Sequence, residues 1–227
     1  MILAFKLNSD YAHFSYPYTI YSSLTYPIPP KTQIIGLLGA IGGFQDYLFL
    51  NDIRYSCKVL QIDGKFSFCF NGIKDVLKNT KETQIIKQRK QFYRELLINP
   101  QYEIYIDFSS VESKKAQIII NNIKNHIAKY PIYLGINIAL ANFEFLGEFE
   151  SKKIETDEFT QIDSAILLDS KFEIESDKNY SDIRVATKIE ANRIFRDFQD
   201  LLVETSGKSI KAKVDYEEVG DKNLIFI

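Results

Sequence analysis

The chain opens on a short apolar run, Ile2 to Leu7, closed by the polar cluster Asn8-Ser9-Asp10. That pattern predicts a β-strand. From Tyr11 to Pro30 no period holds, and five tyrosines (Tyr11, Tyr16, Tyr18, Tyr21, Tyr26) and four prolines (Pro17, Pro27, Pro29, Pro30) occupy the stretch. Proline fixes φ and pushes its predecessor toward extended backbone, which excludes a helix. A loop this long in a compact domain is either functional or disordered, and its aromatic content predicts order. Helical spacing begins at Pro30-Lys31-Thr32. Ile34, Ile35, Leu37, Leu38 and Ile41 form one apolar face, and Gly42-Gly43 predicts its end. Gly36 and Gly39 each weaken such a helix by roughly 1 kcal/mol, which points to close approach by a sheet or a ligand.

Two strands are predicted between Arg54 and Phe70, turning at Asp63-Gly64, a favoured hairpin turn. Phe66, Phe68 and Phe70 alternate with Ser67 and Cys69 in the second. Lys74 to Arg94 is strongly basic, with seven lysines and arginines against Asp75 and Glu82. Tyr102–Phe108 reads as a strand. Glu112–Lys129 reads as a helix, with Ile119, Ile120, Ile123 and Ile127 near 3.6 spacing and Pro131 beyond it. Phe143–Phe149 is again strand-like. After Glu150 the pattern becomes short strands and polar turns: Ile162–Leu168, Ile183–Ile189, Ile210–Val214 and Leu224–Ile227. Ala191–Glu204 fits helix or strand. The expected fold is α+β: a ferredoxin-like (RRM-like) βαββαβ domain over residues 1–150 with a basic insertion at about 71–98. A small β-rich region over 151–227 follows.

Composition changes this picture little. The 227 residues are 45% apolar and 26% charged, as in ordinary globular proteins, with a net charge of −2. The charge is unevenly spread. Residues 1–149 carry 16 Lys+Arg and 12 Asp+Glu, and residues 150–227 carry 12 and 18. A polyanionic partner would therefore meet the first part. Cys57 and Cys69 lie in apolar stretches with neither histidine nearby in sequence, so no zinc motif is formed and reduced thiols are expected. No signal peptide or membrane span is seen, which makes the cytoplasm the expected compartment and excludes a membrane partner. No Walker loop, HExxH motif or nucleophile elbow occurs. No cofactor or metal is expected.

The run Ser23-Leu24-Thr25-Tyr26-Pro27-Ile28-Pro29-Pro30-Lys31-Thr32, continuing through a glycine-rich helix to Gly42, is distinctive. It resembles the amino-terminal signature of the RAMP-superfamily subunit that caps the guide-RNA 5′ handle in Cascade, the type I CRISPR effector. Phe92 to Pro100 before the Tyr102 strand, and Tyr133-Leu134-Gly135 before Phe143, resemble later segments of the same family. Length and pattern are most similar to its type I-B branch. The resemblance implies a non-catalytic, antiviral-defence protein that binds the crRNA 5′ handle through a thumb-like hairpin. Its implied partners are the large subunit and the backbone subunits, with target DNA near the PAM end as a further contact.

Holding a single-stranded RNA end requires cations for phosphates, flat surfaces for bases and groups that read base edges. Lys31 and Thr32 stand at a helix start, where free N–H groups suit phosphate. Tyr16 and Tyr18 are candidate stacking rings; Tyr26, flanked by prolines, fits either stacking or pinning of the loop. Lys87, Arg89, Lys90 and Arg94 are the phosphate-binding candidates, although Arg94 could pair with Glu95 instead. His13, in the tyrosine-rich loop, is placed to reach RNA. One branch of the family, in type I-C systems, cleaves precursor guide RNA, and His13, Tyr18 and Lys31 would be the groups to do so here. A pre-crRNA endonuclease is therefore one alternative, and an assembly module without RNA contact is another.

Overall fold

The computed structural model describes residues 1–19, 22–78 and 84–227, and the side chains of all these except residues 22, 74–78 and 84–88. The first part runs β1 (Ile2–Ser9), β2 (Tyr11–Ala12), β3 (Ser22–Ser23), α1 (Lys31–Gly42), β4 (Arg54–Gln61), β5 (Gly64–Lys78), β6 (Gln84–Ile98), β7 (Gln101–Asp107), α2 (Ser113–Lys124) and β8 (Ala141–Phe149). Four of these strands form an antiparallel sheet in the order β4-β7-β1-β8. Strand β1 lies inside it and is covered on both faces. Leu3, Phe5 and Leu7 join the core under the helices, while Ile2 and Ala4 pack with Tyr105, Val219 and Leu224. That double burial explains why the opening run is apolar without alternation.

Helix α1 ends where its glycines predict, with Gly43 in the left-handed conformation at φ 78°. Ile34, Ile35, Leu38 and Ile41 share one core with Ala116, Ile119 and Ile123 of α2. Helix α2 stops at Lys124, five residues short of the expected end. Asn125 caps it, and His126 turns the chain away at φ 54°. A left-handed residue cannot continue a right-handed helix.

The turn at Asp63-Gly64 joins two strands that do not pair with each other. β4 pairs with β7, and β5 pairs with β6 over its whole length. Asp63 and Asn99 mark where the chain leaves the sheet for this long ribbon and returns. The Asp63 N–H donates to the Ile98 carbonyl at 3.0 Å, and the Asn99 amide donates to the Asp63 carboxylate at 3.0 Å. Turn chemistry is local, but Cys57 and Val59 reach the core only if β4 lies on β7.

The remainder contains β9 (Ser151–Ile154), β10 (Thr160–Ile162), β11 (Ile166–Leu167), β12 (Lys171–Glu173), β13 (Tyr180–Glu190), β14 (Ile194–Glu204), β15 (Ile210–Lys213), β16 (Tyr216–Val219) and β17 (Lys222–Leu224). They form three sheets, β10-β15-β12, β11-β14-β13 and β17-β16-β9. The ambiguous stretch before Glu204 is therefore a strand, paired along β13. Ile183, Val185, Ile189, Leu201 and Val203 of that pair enter the same core as the two helices.

Candidate functional site

The proline run is an irregular segment inside the protein, and its carbonyls need donors. Core tyrosines supply them. Tyr102 donates to the Pro27 carbonyl at 2.8 Å and Tyr55 to that of Pro29 at 2.6 Å. Burial raises both hydroxyl pKa values far above the usual range, so both stay protonated donors. Tyr26 is itself buried and donates to the Arg184 carbonyl of β13 at 2.5 Å. Its ring lies 3.9 Å from that of half-buried Tyr16. Tyr26 thus pins the loop, and Tyr18, 65% exposed, is the ring this group leaves to solvent.

His13 is not presented to solvent: it is 3% exposed. Nδ1 lies 2.8 Å from the Glu95 carbonyl and Nε2 lies 3.0 Å from the Ser23 hydroxyl. Burial depresses its pKa, partly offset by the Glu95 carbonyl. The expected free histidine is instead a clasp between the loop and β6. Lys31 and Thr32 open α1 as expected, but at 6% and 9% exposure both are largely covered. Burial also depresses the pKa of Lys31, against the pull of Asp52. Among the described residues His13, Tyr18 and Lys31 share no hydrogen bond.

The loop is stitched to the long ribbon. β2 pairs antiparallel with Leu97 and Ile98, and β3 pairs parallel with Tyr93 and Arg94. Glu95 accepts the Thr25 N–H at 3.2 Å and binds Lys65 at 3.1 Å, so its ion pair is with Lys65. Arg94 points to the other face of the strand, where its guanidinium sits 5.3 Å from the Phe70 ring centre. The register sets Phe68 opposite Arg94, Phe70 opposite Phe92 and Gly72 opposite Lys90. Directly opposed residues share a face. The rings stack in series, Phe68 on Phe70 at 5.9 Å and Phe70 on Phe92 at 5.6 Å, both within 25° of parallel. Gly72 leaves the room that the Phe92 ring occupies, since a Cβ there would lie 2.6 Å from it.

One face of the ribbon is therefore a ladder of phenylalanines carrying Arg94 and Lys90. Arg89 is exposed on the opposite face, next to Ile73. Lys87 lies on β6, and its side chain falls outside the described ones. The ladder combines flat surfaces with cations, the chemistry of a single-strand binding platform. Phe68, Phe70 and Phe92 were not among the residues singled out from the sequence. The period-two spacing of Phe66, Phe68 and Phe70 was visible, but the pairing that adds Phe92 and Arg94 was not.

Among the described residues no cluster of three or more His, Cys, Asp or Glu is arranged to hold a metal ion. No helix among them is long and apolar enough to cross a membrane.

Known structures share this fold. The chain is similar in fold to a chain of a CRISPR RNA-guided surveillance complex, with a TM-score of 0.58, 9% identity and coverage of 93% of this chain and 91% of that one. It is similar also to a CRISPR protein from Archaeoglobus fulgidus, with a TM-score of 0.53, 11% identity and coverage of 99% and 98%. No curated protein matches by sequence. The family model described as "CRISPR-associated protein (Cas_Cas5)" matches residues 2–159, and the chain therefore belongs to the CRISPR-associated Cas5 family.

Proposed function

We propose that this protein is a non-catalytic subunit of a type I CRISPR effector, of the I-B branch, that binds the 5′ handle of crRNA. The observation that carries this reading is the Phe68–Phe70–Phe92 ladder with Arg94 and Lys90, joined at its base to the proline loop. The strand order β4-β7-β1-β8, with α1 and α2 at the βαββαβ positions, supports a ferredoxin-like domain over residues 1–150. The β5–β6 ribbon is then its thumb, and residues 151–227 form the β-rich appendage. The solved chain of similar fold belongs to an RNA-guided surveillance complex, which supports crRNA, a large subunit and backbone subunits as partners. Target DNA near the PAM end remains a further proposed contact, and the cytoplasm the proposed compartment. The absence of catalysis is supported by His13, whose buried ring is engaged on both nitrogens.

Exchanging both Arg89 and Lys90 for alanine tests the RNA reading. Handle affinity should fall, and the slope of its logarithm against log salt should flatten by about 1 to 2, one phosphate contact per cation removed. Unchanged affinity and slope would remove the hairpin from the site. Incubating the protein with repeat RNA without metal should yield no discrete handle-bearing product.

A further inference from the structure

A groove runs along the open side of α1. Thr32 and Gly36 of the helix form its floor, Tyr130 and Tyr133 one wall, and Arg193 and Phe195 at the β13–β14 turn the other. The enclosed volume is about 490 Å³, within the range of about 300–1,000 Å³ usual for small-ligand sites. Three aromatic rings in these walls are partly exposed. The polar side chains are Thr32, Gln33, Arg193 and the tyrosine hydroxyls. Thr32 is more than nine-tenths buried, and its hydroxyl makes no hydrogen bond among the described residues. Arg193 is exposed and has no carboxylate partner among them. α1 begins at Pro30 without a side-chain cap. In a chain with 30 acidic residues, none lines this groove.

Aromatic walls, one arginine, an uncapped helix start and no carboxylate suit a ligand with a flat apolar ring and a negative charge. We infer that the groove holds one nucleotide of single-stranded RNA, its base against Tyr130, Tyr133 and Phe195 and its phosphate at Arg193 and the start of α1. The inference rests on the reading of the chain as a handle binder and adds a second contact to the ribbon. Thr32 then offers its hydroxyl to the sugar or the base edge.

Gly36 gives a clean test. A Cβ built on it meets no atom within 4 Å, so a larger side chain enters the groove without disturbing the core. The full chain carrying Gly36→Leu, and separately Phe195→Ala, should be titrated with handle RNA alongside the unaltered protein. The expected result is at least a tenfold loss of affinity for Gly36→Leu with an unchanged or higher melting temperature. Phe195→Ala should lose affinity with little change in the salt slope, unlike the Arg89/Lys90 double variant. Handle RNA made abasic at one position should bind the unaltered protein more weakly, but Gly36→Leu no more weakly than intact RNA. If the unaltered protein binds RNA and both variants bind as tightly, the groove is not a nucleotide site, while the ribbon reading stands. If RNA affinity is kept but assembly with other subunits is lost, the groove takes a protein side chain and the inference falls. If the unaltered protein binds no RNA, both readings fall.

Discussion

Gly135 occupies a position that no other residue can fill. Its φ is +83°, and a Cβ there would lie 1.8 Å from the His13 carbonyl oxygen. Its neighbour Leu134 accepts the His13 N–H at 3.0 Å, so this segment and the tyrosine-rich loop meet backbone to backbone. Gly135→Ala adds left-handed strain of about 1–2 kcal/mol to a collision with backbone that cannot move freely. A loss of at least about 2 kcal/mol is expected in chemical denaturation, and an unchanged midpoint would contradict it. The glycine was legible as part of a Tyr-Leu-Gly motif, but its reason was not, because His13 is remote in sequence. His13 itself was read as reaching RNA. His13 stands between Ala12 and Phe14 in a loop without a period, so its burial could not be read, and only the carbonyl of Glu95 and the hydroxyl of Ser23 reveal its role. Tyr26 was more legible, since rigid prolines on one side leave its ring little freedom to reach a ligand.

At the scale of elements, the β5–β6 ribbon separates two kinds of binding energy. Stacking on an aromatic ring contributes roughly 1–3 kcal/mol per base and is weakly dependent on salt, whereas phosphate contacts set the salt slope. Phe92→Ala removes a ring that stacks on Phe70 and covers Gly72. It should weaken handle RNA binding roughly tenfold or more while the salt slope stays within error. A flattened slope without loss of stacking would show that Phe92 acts only by positioning Arg94. Within this ribbon, β6 was read only as part of a basic insertion at about 71–98, and β5 alone was predicted, from alternation and only as far as Phe70. The pairing of the two was not predicted, because Asp63-Gly64 announces a turn without saying which strand follows which. Helix α1 was legible at both ends, since proline opens it and glycine closes it. Helix α2 was overrun because Ile127 continues the spacing after His126 has already reversed the chain.

Across the whole molecule, ion pairs tie the later strands to the edge of the four-stranded sheet. Arg54 on β4 holds Asp107 at 2.7 Å and Glu217 of β16 at 2.5 Å, and Lys58 holds Asp163 at 2.6 Å. Part of the uneven charge along the sequence is therefore consumed inside the protein, with basic residues of the first part facing acidic residues of the second. Burial works against the charge of Asp107 and Glu217, but Arg54 and nearby hydrogen bonds outweigh it and hold both below the usual carboxylate range. A carboxyl group depressed in the folded state adds stability that is complete above its unfolded pKa of about 4 and is lost as pH falls through the folded value. His13, depressed by burial, adds an earlier loss below about pH 6.5. The melting temperature should therefore decline gently from pH 7 to 5 and steeply below about 4. Arg54→Met should melt lower at neutral pH and show a shallower acid limb; parallel curves for the two proteins would exclude the clamp. The expected α+β class and the uneven charge between residues 1–149 and 150–227 were visible in the sequence. What joins the parts was not, since β13 and β14 complete the core shared with the helices from well over a hundred residues beyond α1. That arrangement sets a schedule for synthesis. Until Leu201 and Val203 have left the ribosome, the part of the core that β13 and β14 close stays open although the helices already lie on their sheet, and chaperones, or RNA and subunits already waiting, would shield it in the growing chain.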